Sequence, residues 1–197
     1  AAFGAKDYAR AIELYDEVIS NAATARPRDV WIAAQNAAML CERLGRHEEA
    51  VRRVDALLAS PAAAEIPRND LPMLRASQAS WIASHGNLVE AQRRYMAIWA
   101  DFQGRDDQSV LQAGVILAGW TPQPGECAER LEWCRLLLGR FQAIRNAPAA
   151  HPDAPTASEL DSLEHQVLIH IANSTECPDL DFVNRARSRL GLPPIGP

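Results

Sequence analysis

Apolar residues recur along this chain at steps of three and four, and the strict alternation of a half-buried strand is absent. Trp31, Ala34, Ala37, Ala38 and Cys41 mark one face of a helix over residues 30–44, with Asp29 as its expected cap and Gly45 as its end. Ala50, Val51, Val54, Leu57 and Leu58 mark a second helix over 47–58, stopped at Ser60-Pro61. The pattern then repeats. Asp70 is the expected cap of a helix to about residue 85 with Pro72 in its first turn, where a missing N–H costs little. Gly86 ends it, and a partner helix covers 88–102. A weaker pair occupies 107–119 and 126–145, joined by the expanded turn Thr121-Pro122-Gln123-Pro124-Gly125. Residues 147–157 carry Pro148, Pro152 and Pro155 and read as a stiff extended link. Ser158 with Asp161 resembles a capping box opening a helix to about 172, and Asp179 caps a last helix to about 190, ended by Gly191. An extended tail follows.

Three segments are versions of one another: Lys6-Asp7-Tyr8-Ala9-Arg10-Ala11, Gly45-Arg46-His47-Glu48-Glu49-Ala50 and Gly86-Asn87-Leu88-Val89-Glu90-Ala91. Their alanines are 39 and 41 residues apart, a period that marks stacked repeats. Glycine takes the left-handed conformation that ends a helix, and alanine allows two helices to cross closely. Tyr15, Val54 and Tyr95, four residues past each alanine, fill the gap to the next repeat.

This signature resembles the tetratricopeptide repeat. The resemblance implies an all-α fold, a right-handed superhelical array of antiparallel helix pairs. It covers residues 1–103 well and 107–145 loosely. The repeats then span 1–145, the link 146–157, and a C-terminal helical cap with its tail 158–197. Gln78 and Arg75 depart from the core pattern, Lys6 replaces the first glycine, and the loops are long for the family. A generic bundle of helical hairpins is the rival architecture. The first signature begins at residue 6, leaving little room for the helix expected before it, so the chain reads as a fragment of something longer.

In this family the concave groove is lined by the first helix of each pair. The resemblance places Ile32, Gln35, Asn36, Met39, Glu42 and Arg43 there from the second repeat. The third contributes Met73, Ala76, Ser77, Ser80, Ala83 and Ser84, and the fourth Gln108, Leu111, Gln112 and Val115. The best candidates for a peptide-binding groove are Gln35, Asn36, Met39, Arg43, Met73, Ser77, Ser80, Ser84 and Gln112. Asparagine and glutamine amides suit a ligand backbone, and the small residues leave space for a bulky side chain. The competing reading has this face packing on another part of the same polypeptide. Arg43 stands alone, so the basic clamp that some members use for a terminal carboxylate is not expected.

Composition narrows the function classes. Net charge is −5, so no global basic footprint points to nucleic acid or to an anionic membrane. No apolar run reaches a membrane span. Every basic residue but Lys6 is arginine, which with the heavy alanine use suggests a bacterial, high-GC coding bias. The four cysteines form no CxxC. Cys127 and Cys134, two helical turns apart, would sit about 10 Å from each other, and all four are read as reduced. With neither a membrane span nor a signal peptide legible in the sequence, the chain is expected to be cytoplasmic.

Candidate chemistry changes little. His165 and His170 are five apart and diverge by about 140° on a helix. His47 and His85 fall at turns, and there is no HExxH, P-loop or glycine-rich phosphate cradle. No metal, cofactor or catalytic residue is expected. Arg52-Arg53 and Arg93-Arg94 read as a solvated outer stripe paired with Glu48, Glu49 and Glu90, and the Arg185-Arg187-Arg189 run as a further solvated face. The five tryptophans read as packing between repeats. The expected function is a non-catalytic scaffold for a protein or peptide partner. The alternative is a regulatory or accessory segment of a larger multidomain enzyme or signalling protein, acting on a covalently linked neighbouring domain.

Overall fold

The computed structural model describes residues 5–102, 104–120, 127–147, 154–177 and 179–195. Among these the chain is all-helical: α1 (Ala5–Ser20), α2 (Pro27–Arg43), α3 (His47–Leu58), a short 3-10 helix (Pro61–Glu65), α4 (Asp70–Ser84), α5 (Leu88–Phe102), α6 (Gln108–Gly119), α7 (Cys127–Asn146), α8 (Ala157–Ala172) and α9 (Leu180–Arg189). No helix among the described residues is long and apolar enough to cross a membrane. The expanded turn after residue 120 and most of the proline-rich link, with Pro148 and Pro152, lie outside the described residues.

The helix ends follow local chemistry. Gly45 and Gly86 take φ of +73° and +81°, the left-handed conformation that closes a helix without a Cβ penalty. α2 starts earlier than the expected Asp29 cap. Pro27 occupies the first turn behind an extended Arg26, and Asp29 instead accepts from Arg26 at 2.7 Å inside that turn. The capping box of α8 also sits two residues before Ser158. Thr156 accepts from the Glu159 amide, and the Glu159 carboxylate accepts from the Thr156 amide at 2.7 Å.

The chain divides into two compact units, Ala1–Arg94 and Tyr95–Pro197. In the first, α1 packs on α2, α2 on α3 and α3 on α4, with the 3-10 helix against α2 and α3. Its core joins Ile12, Val30, Trp31, Ala34, Ala38 and Cys41 to Ala50, Val54, Leu57 and Leu74. Ala37, Ala38, Cys41 and Ala50 are fully buried, so the α2–α3 crossing is built from small side chains.

In the second unit α6, α7 and α8 pack on one another and α9 packs on α8. Helices α8 and α9, expected as a cap beyond a link, thus share one core with α6 and α7, including Leu111, Val115, Leu131, Leu137, Phe141, Val167 and Val183. Leu111 and Val115, expected to line an open groove, are buried there because α8 packs on α6.

Candidate functional site

On α2, Gln35, Asn36, Met39 and Arg43 fall within about 100° of arc, given 100° per residue. Met39 is 40% exposed and Arg43 is exposed, while Gln35 and Asn36 are half-buried. Among the described residues the side chains of Gln35, Asn36 and Arg43 make no hydrogen bond or ion pair. On α4, Met73, Ser77, Ser80 and Ser84 form a single file at steps of four, three and four. Met73 is 44% exposed, Ser80 and Ser84 are exposed and Ser77 is half-buried. Ser84 Oγ donates to the Ser80 carbonyl at 3.0 Å. α3 packs against both α2 and α4. Gln112 belongs to the second unit, where its amide donates to Gln166 Oε1 of α8 at 3.3 Å.

The arginines of α3 and α5 are arranged differently from the solvated stripe expected of them. Arg53 donates to Asp16 of α1 at 2.5 and 3.0 Å and to Glu49 at 2.9 Å. Arg94 donates to Asp55 of α3 at 2.8 Å and to Glu90 at 2.7 Å. The two networks are equivalent in register. In each, an arginine three past the repeat alanine joins a glutamate one before that alanine to an aspartate five past the preceding alanine. Arg53 and Arg94 are only 19% and 23% exposed. Arg52 and Arg93 are the solvated members, paired within their own helices to Glu48 and Glu90. The hydrogen bonds from Arg93 and Arg94 pull the Glu90 carboxyl down to about 2.

Gln78, which departs from the repeat's apolar pattern, is 1% exposed and belongs to this network. Its amide donates to the Val51 carbonyl at 3.1 Å and to Asp55 Oδ1 at 2.9 Å. Its oxygen accepts from Arg94 at 2.6 Å. A buried amide with these bonds avoids the desolvation penalty of an unpaired polar group. The recurrence of Asp16 and Asp55, 39 residues apart, was a sequence signal for the whole arrangement.

His47, the first residue of α3 rather than a turn residue, and His85, in the turn after α4 as expected, stack with ring centroids 4.2 Å apart and tilted by 54°. They line a cleft of about 360 Å³ with Glu48, Arg52, Trp81 and Asn87. Among the described residues no three His, Cys, Asp or Glu side chains gather as a metal site would require. His165 is exposed, whereas His170 is half-buried against Gly119 and Arg130. Burial, then the Arg130 charge, lowers its pKa.

Cysteine usage corrects the sequence reading. Cys127 at the start of α7 and Cys177 in the α8–α9 connection are disulfide-bonded, with Cα atoms 5.6 Å apart and a sequence separation of 50. Only tertiary packing brings them together, so no local spacing could show the pair. Cys41 and Cys134 are free and buried, and burial pushes the Cys134 thiol up to about 11.

Arg185, Arg187 and Arg189 are also more engaged than a solvated run. Arg189 donates to the buried Glu164 carboxylate, which Arg145 also pairs. Arg187 donates to the Pro193 and Ala172 carbonyls, and Arg185 lies over the Phe182 ring. No family model, curated protein or solved structure matches the chain.

Proposed function

We propose that this chain is a non-catalytic scaffold for protein–protein interaction, a tetratricopeptide-like array whose α2 and α4 stripes hold a peptide segment of a partner. One observation carries the reading. The amides of Gln35 and Asn36 and the guanidinium of Arg43 have no partner among the described residues, beside an exposed Met39. On α3 and α5 the corresponding polar capacity is consumed internally, in the Arg53 and Arg94 networks. A face left with unused donors and exposed methionines suits a ligand backbone and its apolar side chains. The array reading is supported by the equivalent networks that tie α1 to α3 and α3 to α5.

The ligand this surface favours has an extended or helical backbone for Gln35 and Asn36 and an acidic group for Arg43. Its apolar side chain lies on Met39 or Met73, and the serines of α4 leave room for bulk. Gln112 drops out of this surface because Gln166 already accepts from its amide. Affinity comes from preorganisation, because packing fixes the helices before the ligand arrives. A second reading, an accessory segment of a larger protein, is favoured by the partly exposed Ala11, Tyr15 and Val18 of α1, which leave room for a neighbouring helix.

The test is selection of binders from a random peptide display library, followed by titration of the best peptide against the chain. The proposal expects the Asn36→Ala/Arg43→Ala double variant to lose about tenfold or more in affinity, as removal of a central contact does. Equal binding by both proteins would place the ligand elsewhere.

A further inference from the structure

The repeat alanines allow α1 and α3 to be compared position by position. In α3 the stripe Ala50, Val54 and Leu57 is 0%, 0% and 3% exposed, in one core with Ala34, Ala38 and Cys41 of α2. The same positions of α5, Ala91, Tyr95 and Ile98, are 0%, 3% and 1% exposed. In α1 those positions are Ala11, Tyr15 and Val18, and all three are only half-buried. The neighbouring Leu14 is 48% exposed. The opposite flank of α1 is complete. Ile12 is 5% exposed in the core with α2, and Asp16 pairs with Arg53. So, among the described residues, α1 packs on the helix that follows it, while the face that α3 buries against α2 stays half-exposed in α1.

We infer that the Ala11, Tyr15 and Val18 face of α1 is a docking site for one amphipathic α-helix with a small-residue stripe, the kind of helix that α2 presents to α3. The inference rests on the repeat register of the proposed scaffold. The occupant is specified by internal equivalence and by continuity with the α1–α2 contact. Alanine at the crossing position admits a close approach only from a helix that is itself small at the contact, as Ala34 and Ala38 are. The occupant is one helix rather than a complete further pair. Where α3 and α5 place an arginine that reaches back to the preceding aspartate, α1 has Leu14, so the ladder of ion pairs ends at α1. An apolar Leu14 beside the stripe widens the contact instead.

The probe is a fluorescein-labelled peptide of residues 27–43, the α2 sequence, titrated with the full chain and followed by anisotropy. Saturable binding is expected, with about tenfold loss in Ala11→Arg, where a long cation blocks the crossing point. Arginine is a good helix former, and circular dichroism of Ala11→Arg checks that α1 persists. Leu14→Asp, at an exposed position, is the second variant and is expected to weaken binding in the same direction. Asn36→Ala/Arg43→Ala is expected to bind the peptide as the wild type does, which separates this site from the α2–α4 surface. No saturable binding, or equal binding by Ala11→Arg and wild type, would overturn the inference. Sedimentation velocity gives the other outcome: a wild-type dimer abolished by Ala11→Arg would assign the face to a second copy of the chain and overturn the single-helix occupant.

Discussion

The Arg94 guanidinium donates to the side-chain oxygen of Gln78 at 2.6 Å, and Gln78 is 1% exposed. Through Gln78 the charge of α5 reaches the backbone of α3, because the same amide donates to the Val51 carbonyl. Gln78→Ala removes three hydrogen bonds and leaves the Val51 carbonyl without this donor. The expected loss is about 1–3 kcal/mol in urea unfolding, the cost of stranding a buried polar group. Gln78→Leu is expected to lose less, because it restores apolar volume at a helix position of the core. A wild-type midpoint in Gln78→Ala would refute the role given to this amide.

In the second unit, the position a Gly114 Cβ would occupy lies 2.6 Å from Trp99 Cζ3 and 2.9 Å from Leu137 Cδ2. Trp99 is held by Trp133 at 4.9 Å between ring centroids, and Trp133 Nε1 donates to the Gly114 carbonyl at 2.8 Å. A retreat of the Trp99 ring would press on Trp133, which that bond holds in place. Gly114→Ala therefore overpacks the core, and a destabilisation of about 1–3 kcal/mol is expected despite alanine's better helix propensity. Unchanged or raised thermal stability would contradict this packing.

Acid unfolding follows from the carboxylates. Arg93 and Arg94 hold Glu90 at about 2 against an ordinary 4.5. At Glu164 burial acts upward, but hydrogen bonds from Arg145 and Arg189 outweigh it and the net shift is downward. Glu49 is also lowered, chiefly by Arg53. A carboxyl whose folded pKa is depressed stabilises the fold above its unfolded pKa and loses that contribution as pH falls through the folded value. Stability is thus expected to hold above pH 4.5 on this account and to decline between about 4.5 and 2. Glu164→Gln, which removes the buried charge, should lessen the decline. Acid titration followed by circular dichroism checks both, and an acid profile unaffected by Glu164→Gln would exclude that residue as a contributor.

Much of the first unit was legible in the sequence because its signals are local. Gly45 and Gly86 end helices through their own backbone freedom, and α3 and α5 begin and end where the periodicity put them. The caps of α2 and α8 were displaced by two or three residues because several candidate side chains lie close together. There Pro27 and Thr156 start the helices ahead of Asp29 and Ser158. The Met39 and Met73 positions were readable from the repeat register, and both are exposed. What was not legible is tertiary. The burial of Gln78 depends on a donor and an acceptor from two other helices, the position of Gln112 on α8 packing, and the Cys127–Cys177 bond on two segments 50 residues apart.

That bond predicts a thiol count. Cys41 and Cys134 are buried, and burial raises both thiols, so neither is a ready nucleophile at neutral pH. The folded chain, assayed with an aromatic disulfide reagent, is expected to react slowly. Unfolding without reductant should expose two thiols, and unfolding after reduction should expose four. Four thiols without reductant would restore the all-reduced reading. Reduction alone should destabilise the second unit by a few kcal/mol at most, about 4 kcal/mol being the chain-entropy value for a loop of this length.

The unused donors of α2 and the serine file of α4 are proposed to form a peptide-binding surface. Its most direct measurement is backbone amide chemical-shift mapping of the chain with the tightest peptide from a display selection. The account predicts perturbations concentrated on Gln35, Asn36, Met39 and Arg43 and on Met73, Ser77, Ser80 and Ser84, weakened in Asn36→Ala/Arg43→Ala. Perturbations confined to other helices, or unchanged by that variant, would contradict it.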